Sequence, residues 1–227
     1  MRTSATLVFL LVVLASGPGP QASISQPLAV QQNSIEQLEA KLKSQYKTIQ
    51  TIIASPPSSR GDKNRLLREW QDDMAQSFKR AATTIEEIIS LNPPNRDMWQ
   101  DRLDTLRLYS QPVSSPDLRK VYGSGEVQKS VKILETPLAV YTDEARAAKT
   151  YGDVRLRLVF AADDTVKNVF PIKSLDHGLT ESAMEAARRI KFEPAVRNGK
   201  PASQFATLVY EFEKSGPRKP YIPKTVF

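Results

Sequence analysis

Hydrophobic residues recur every three or four positions as far as Tyr109, and every second position in the segments beyond Val154. A period of 3.6 places one apolar stripe on a helix, whereas a period of 2 places one apolar face on a strand, so a single chain carries two architectures. In the first half, Ile35, Leu38, Leu42, Tyr46, Ile49 and Ile53 mark one face of a helix over 31–54. Ser55-Pro56-Pro57-Ser58-Ser59 ends it, because proline denies the α region to its predecessor and lacks the N–H a helix needs. A second stripe, from Leu66 and Leu67 through Trp70, Met74, Phe78, Ala81 and Ile85 to Ile88 and Ile89, predicts a helix that stops at Asn92-Pro93-Pro94. A third, over 96–109, aligns Trp99, Leu103, Leu106 and Tyr109. Together they predict an all-α domain over 31–110, a helical hairpin with a capping helix. Arg60-Gly61-Asp62 reads as a helix start with Asp62 as its N-cap rather than as an adhesion tripeptide.

Residues 111–125, QPVSSPDLRKVYGSG, are rich in proline, serine and glycine and are expected to be a linker. After a short helix over 142–149, Val154 to Phe160 alternates apolar and cationic residues, the pattern of a half-exposed strand. Ala161 to Asp164 turns the chain, and Thr165 to Lys173 returns as a second strand. Pro171 cannot donate to a ladder, so it belongs at an edge or a bulge. Gly178 to Lys191 is again helical, with Glu181 and Glu185 near its start and Arg188, Arg189 and Lys191 near its end, as the helix dipole favours. Phe192 anchors that end, Pro194 bars continuation, and Asn198-Gly199 supplies the positive φ angles of a tight turn. Phe205 to Glu213, FATLVYEFE, is the last strand. The expected fold class is α+β, a small antiparallel sheet with two helices in the order αββαβ, over 126–214, followed by a tail over 215–227.

The chain has no cysteine, which excludes a disulfide framework, a thiolate metal site and a Cys nucleophile, and it has one histidine, His177. His177 reads as a solvated loop residue, since no nucleophile is announced for it to activate. The acid pairs Asp72-Asp73, Glu86-Glu87 and Asp163-Asp164 read as helix surfaces and a turn, and no glycine-rich phosphate loop is present. These features predict a protein that is not an enzyme, with no cofactor and no metal. Residues 1–22 hold one Arg, an apolar run from Leu7 to Ala15, and then small residues and prolines. That run is about half the roughly 20 residues that span a bilayer, so a cleaved signal peptide is favoured over a short N-terminal anchor. Export to the periplasm or cell envelope follows as the expectation. It also argues against nucleic acid as the partner of a chain whose net charge is +7. Arg155 and Arg157 on one strand, with Lys167 and Lys173 on the next, form an alternative patch for anionic cell-wall polymer or lipid headgroups.

The ordered pieces PLAVYTDEAR (Pro137 to Arg146), Gly152 with Val154, VKNVFPIKSL and RRIKFEPAVRNGKP resemble the C-terminal domain of the TonB family over about 126–214. The resemblance implies a domain that grips a short peptide at the periplasmic end of an outer-membrane transporter, held by strand addition against the last strand. Strand addition has a physical basis, because an edge offers unpaired N–H and C=O groups that an extended peptide satisfies. The matching residues are Thr207, Leu208, Val209, Tyr210 and Glu211, with Arg146 on the first helix as a polar contact. The chain departs from energy-transducing members in lacking a polar residue within its apolar run and in having helices where they have a proline-rich spacer. Its sixteen prolines are scattered rather than repeated. The reading is an envelope docking protein linked to transmembrane transport. The alternative is a non-transducing scaffold on anionic material, and self-association of the helical domain is left open.

Overall fold

The computed structural model describes residues 28–57, 63–111 and 120–223. The expected leader, the Asp62 cap, most of the expected linker and the end of the tail lie outside them. Three helices come first: α1 (Leu28–Ala54), α2 (Lys63–Ser90) and α3 (Arg96–Tyr109). Their stripes meet as the spacing predicts, burying Ile35, Leu42 and Ile49 of α1 against Phe78, Ala81, Ile85 and Ile88 of α2 and Trp99, Leu103 and Leu106 of α3. Leu67 is the exception at 37% exposed, lying at the margin of its stripe. The Trp70 indole N–H donates to the Ile52 carbonyl at 2.7 Å, fixing α2 to α1 near their junction. Glu86 and Glu87 sit on the surface of α2, where they pair with Arg107 of α3 (2.7 Å) and Lys41 of α1 (3.3 Å). Exposed pairs of this kind set orientation more than they add stability.

The second half holds β1 (Val121–Tyr122), β2 (Lys132–Glu135), α4 (Asp143–Ala148), β3 (Gly152–Phe160) and β4 (Val166–Lys173). It continues with α5 (Leu179–Arg188), β5 (Lys191–Glu193), β6 (Ala195–Arg197), β7 (Lys200–Glu213) and β8 (Gly216–Pro217). The expected order αββαβ is present as α4, β3, β4, α5 and β7, with short strands added around it. Main-sheet order is β1-β7-β3-β4, with β6 and β8 also pairing to β7, while β2 and β5 form a separate ribbon. Strands β3 and β7 are antiparallel along their whole overlap, from Gly152 opposite Phe212 to Phe160 opposite Gln204. Pro171 lies on the outer strand β4, beside a register irregularity in its pairing with β3, so its missing N–H leaves no gap in the ladder. Asn198 and Gly199 have φ values of 52° and 71°, the two successive positive angles that a two-residue hairpin turn requires between β6 and β7.

Two differences from the expected elements have clear causes. Helix α5 ends at Arg188, and Lys191 starts β5 because its backbone pairs with Glu135 of β2. Strand β7 begins at Lys200, directly after the turn, five residues before Phe205. Within the first turn of α5 the Thr180 hydroxyl accepts the Leu175 N–H and donates to the Leu175 carbonyl, closing the loop before the helix.

The inner face of the sheet (Val154, Leu156, Leu158, Leu208, Tyr210, Phe212) packs on α5 through Leu179, Ala183, Ala186 and Ala187, forming one core. The outer face is covered in part by the helical half. Adjacent residues of β4 point opposite ways, so that Val169 enters the sheet core while Phe170 enters the helical one. The Phe170 ring lies 5.1 Å from Tyr46, 5.2 Å from Phe78 and 6.1 Å from Tyr109, each edge-on, the arrangement aromatic quadrupoles favour. Around it Gln50 donates to the Pro171 carbonyl at 2.8 Å and Tyr109 to the Asn168 carbonyl at 2.8 Å. Burial pushes the Tyr46 hydroxyl up to about 12 despite Arg102 nearby. The strand β3 that reads as half-exposed is therefore closed at its far end, where outward-facing Val159 is only 2% exposed. Phe170→Ala is expected to cost about 3–5 kcal/mol. Hydrogen exchange should show lost protection in both α1–α3 and β4; loss confined to the helices would mean that the two cores are not coupled there.

Candidate functional site

Strand β7 is the expected capture strand, and its backbone alternation decides which residues can act. Val209 uses both its N–H and its carbonyl on Tyr221, at 2.9 and 3.2 Å, so neither points to β3. Opposed antiparallel residues alternate between bonded and non-bonded pairs, which makes Val209 opposite Arg155 a non-bonded pair. By the same alternation Thr207 and Glu211 direct their backbone groups away from β3, and the Glu211 carbonyl indeed accepts the Arg218 N–H at 2.9 Å. Leu208 and Tyr210 are bonded to β3 and send their side chains into the core. Of the five expected residues, Thr207, Val209 and Glu211 therefore form the outer rim, and Leu208 and Tyr210 hold it in place.

That rim is partly occupied. The two residues of β1 pair in parallel with Ser203 and Gln204. At the other end Pro217 and Gly216 pair with Phe212 and Glu213, and Tyr221 bridges to Val209. Between these covers Thr207 has no strand partner on its outer side among the described residues. The β1 and tail pairings could not be read from the sequence pattern. Two residues have no period, and Pro217 and Pro220 are strand-breaking signals. The Tyr210 hydroxyl, deep under the rim, has no hydrogen-bond partner among the described residues. Burial pushes its pKa well above the usual phenol value, with Arg189 offsetting only part.

The expected cations are distributed differently. Arg146 lies 5.4 Å above the Tyr141 ring, which is 6.0 Å from Phe212, so it sits near the end of β7 rather than at the rim's middle. Arg157 lies over both Tyr109 (5.7 Å) and Phe205 (5.2 Å), whose rings are themselves 5.9 Å apart, and this cluster ties the helical half to β7. Arg155 and Lys173 both bond Asp153, and Lys167 bonds Asp163. Burial alone would raise the Asp153 carboxyl, but the hydrogen bonds from Lys173 and Arg155 outweigh it and hold the group below the usual range. The four residues of the alternative patch thus face carboxylates or rings. His177 adopts φ 60°, and its Nδ1 and the Thr150 hydroxyl lie in hydrogen-bond contact at 2.8 Å, at the corner before α5. An open cleft of about 530 Å³ lies beside the rim, lined by Tyr151, Asp153, Arg155, Glu211, Lys214 and Tyr221 among others.

Residues 137–213 match the family model of the Gram-negative bacterial TonB protein C-terminal. The match runs from Pro137 to the last residue of β7, so the resemblance drawn from the sequence over 126–214 is met over this span. This family is a transport-associated, non-enzymatic domain of envelope proteins. The three helices, β1, β2 and the tail lie outside the match. No curated protein matches the chain. Among the described residues no helix is long and apolar enough to cross a membrane.

Two substitutions test the surroundings of the rim. Tyr210→Phe removes a buried unpaired hydroxyl and should leave stability unchanged or raise it by about 1 kcal/mol in denaturant titration; a loss of that size would show that the hydroxyl has a partner. Asp153 has a depressed folded-state value, so its contribution is present above the unfolded carboxylate value of 3.8 and is lost as pH falls through the folded one. Thermal unfolding of Asp153→Asn should accordingly show a shallower loss of stability below about pH 4 than the parent. Equal slopes would remove the ion pairs as the cause.

Proposed function

We propose that this is an envelope docking protein whose C-terminal domain captures an extended peptide of an outer-membrane transporter by adding it as a strand along the outer rim of β7. The observation that carries the reading is the outward pair of backbone groups on Thr207, unpaired among the described residues and flanked by Val209 and Glu211 in the same orientation. An extended peptide satisfies such groups with few demands on its own side chains, so short segments of varied sequence can be bound. The family match over 137–213 supports a transport-related setting. In this reading Arg146 provides a polar contact at the far end of the strand and the helical half braces the sheet from its outer face. The alternative, a scaffold on anionic polymer or lipid, receives less support, because Arg155, Lys167 and Lys173 already have carboxylate partners and Arg157 stacks on rings.

Thr207→Pro removes the outward N–H without deleting a bond to β3. It should weaken binding of synthetic peptides, taken from the periplasmic N-termini of outer-membrane transporters, by roughly tenfold or more in fluorescence anisotropy. Circular dichroism must show the parent's fold. Undiminished binding by such a folded variant would overturn strand addition on this rim.

A further inference from the structure

The chain after Glu213 lies outside the family match yet is the nearest neighbour of the capture rim. It turns at Lys214-Ser215, pairs Gly216 with Glu213, and runs antiparallel to β7 as far as Tyr221. Beyond the ladder pairing of Gly216 with Glu213, three backbone hydrogen bonds hold it: Arg218 N–H to the Glu211 carbonyl (2.9 Å), Val209 N–H to the Tyr221 carbonyl (2.9 Å), and Tyr221 N–H to the Val209 carbonyl (3.2 Å). Two side-chain contacts add to them, Arg218 to the Glu213 carboxylate at 2.9 Å and the Tyr221 hydroxyl to Glu211 at 3.2 Å. These are the rim groups that strand addition needs.

The composition of the segment suits a removable cover. Pro217, Pro220 and Pro223 fall within eight residues, and each lacks the N–H that a permanent strand would donate. The segment still reaches the rim, because Gly216, Arg218 and Tyr221, and not the prolines, are the positions that bond. The missing proline N–H groups make it weaker than an uninterrupted strand of the same length, and they restrict any further strand from stacking on its outside. The uncovered part of the rim is short. Thr207 alone offers one N–H and one carbonyl, too few to hold a peptide against its ordering entropy, whereas uncovering Val209, Glu211 and Glu213 opens a continuous ledge.

We infer that Gly216–Tyr221 is a built-in occupant of the capture rim, and that a partner binds by displacing it as an extended segment antiparallel to β7, with a cation whose side chain reaches Glu213 and an aromatic residue whose side chain reaches Glu211. The inference rests on the strand-addition reading and adds the direction, the preferred side chains and the competitor. The contacts within the chain define the chemistry of the partner: a short, extended, basic-aromatic peptide. The cleft beside Tyr221 gives the displaced or replacing aromatic ring a place next to Asp153 and Arg155.

The test uses the full chain and two labelled probes: a synthetic peptide of residues 216–223, GPRKPYIP, and the transporter N-terminal peptides. Tyr221→Pro, which removes the N–H donated to Val209, and Arg218→Glu, which reverses the charge facing Glu213, each loosen the tail without touching β7. Both variants should bind both probes about five- to tenfold more tightly than the parent. Added peptide should also lower hydrogen-exchange protection at the Tyr221 amide of the parent while that of Val209 persists. Glu213→Lys should weaken the 216–223 probe and favour a version of it carrying Glu at the Arg218 position. Transporter peptides that bind parent and tail variants alike, yet fail on Thr207→Pro, would leave strand addition standing and overturn the tail as competitor. Tail variants that bind the 216–223 probe more tightly and no transporter peptide would confirm the occupied rim and overturn the transporter reading. No binding of either probe to any variant overturns both.

Discussion

Phe170 joins the two halves of the molecule. A β-strand offers its two faces alternately, and β4 uses that alternation to place Val169 in one core and Phe170 in the other. The helical half therefore packs on the sheet through a strand that belongs to both cores, rather than through a separate polar surface. With Phe170 set among Tyr46, Phe78 and Tyr109, the hairpin lies across the outer face at the β4 side. Rings in this setting have little freedom, since close-packed interiors transmit a displacement instead of absorbing it.

The position of that joint leaves the opposite side of the sheet for the recognition proposed above. β4 is bound by helices and interrupted by Pro171 and two register irregularities, features that blunt an edge. β7, at the other side, has among the described residues only the short β1, the β6 hairpin and the tail along its outer rim. Arg157 connects the two regions, because its guanidinium lies over the touching rings of Tyr109 of α3 and Phe205 of β7, two residues before Thr207. A cation over two ring faces gains from both, so this contact fixes that end of the rim.

The long elements were legible because each carries enough periods to define a face. The stripes of α1, α2 and α3 and the alternation of β3 and β7 identify both fold class and core, and Asn198-Gly199 identifies the hairpin that sets the register of β7. Shorter strands were not legible. β1, β5, β6 and β8 have two or three residues each, less than any period can reveal, and β8 includes a proline that reads against a strand. Within the rim, sequence reading could name Thr207 to Glu211 but not which of them face outward, since that depends on the bond phase with β3. Leu208 and Tyr210 turn out to serve the core. The partners of the candidate anionic patch were hidden for a similar reason: alternation shows that Arg155 and Arg157 share a face, and only the fold shows that Asp153 reaches Arg155 and Lys173 together.

Net charge and local charge point in opposite directions here. A surplus of +7 favours anionic material at a distance, and over a Debye length of about 8 Å at physiological salt it fades. At contact, a partner on the β7 rim meets Glu211 and Glu213, and the chain's own tail meets them with Tyr221 and Arg218. Recognition at hydrogen-bond range is governed by those nearest groups rather than by the total, so in the proposed reading the acidic rim, and not the net charge, selects the peptide that is held. A basic-aromatic peptide displaced from the rim would be repelled by the rest of the surface, which favours its release into solution or its retention as a tethered tail. Covalent attachment resolves that opposition: a tail that begins three residues after Glu213, at Gly216, stays at high effective concentration despite weak bonds, and only a partner whose own segment is held near the rim can compete with it.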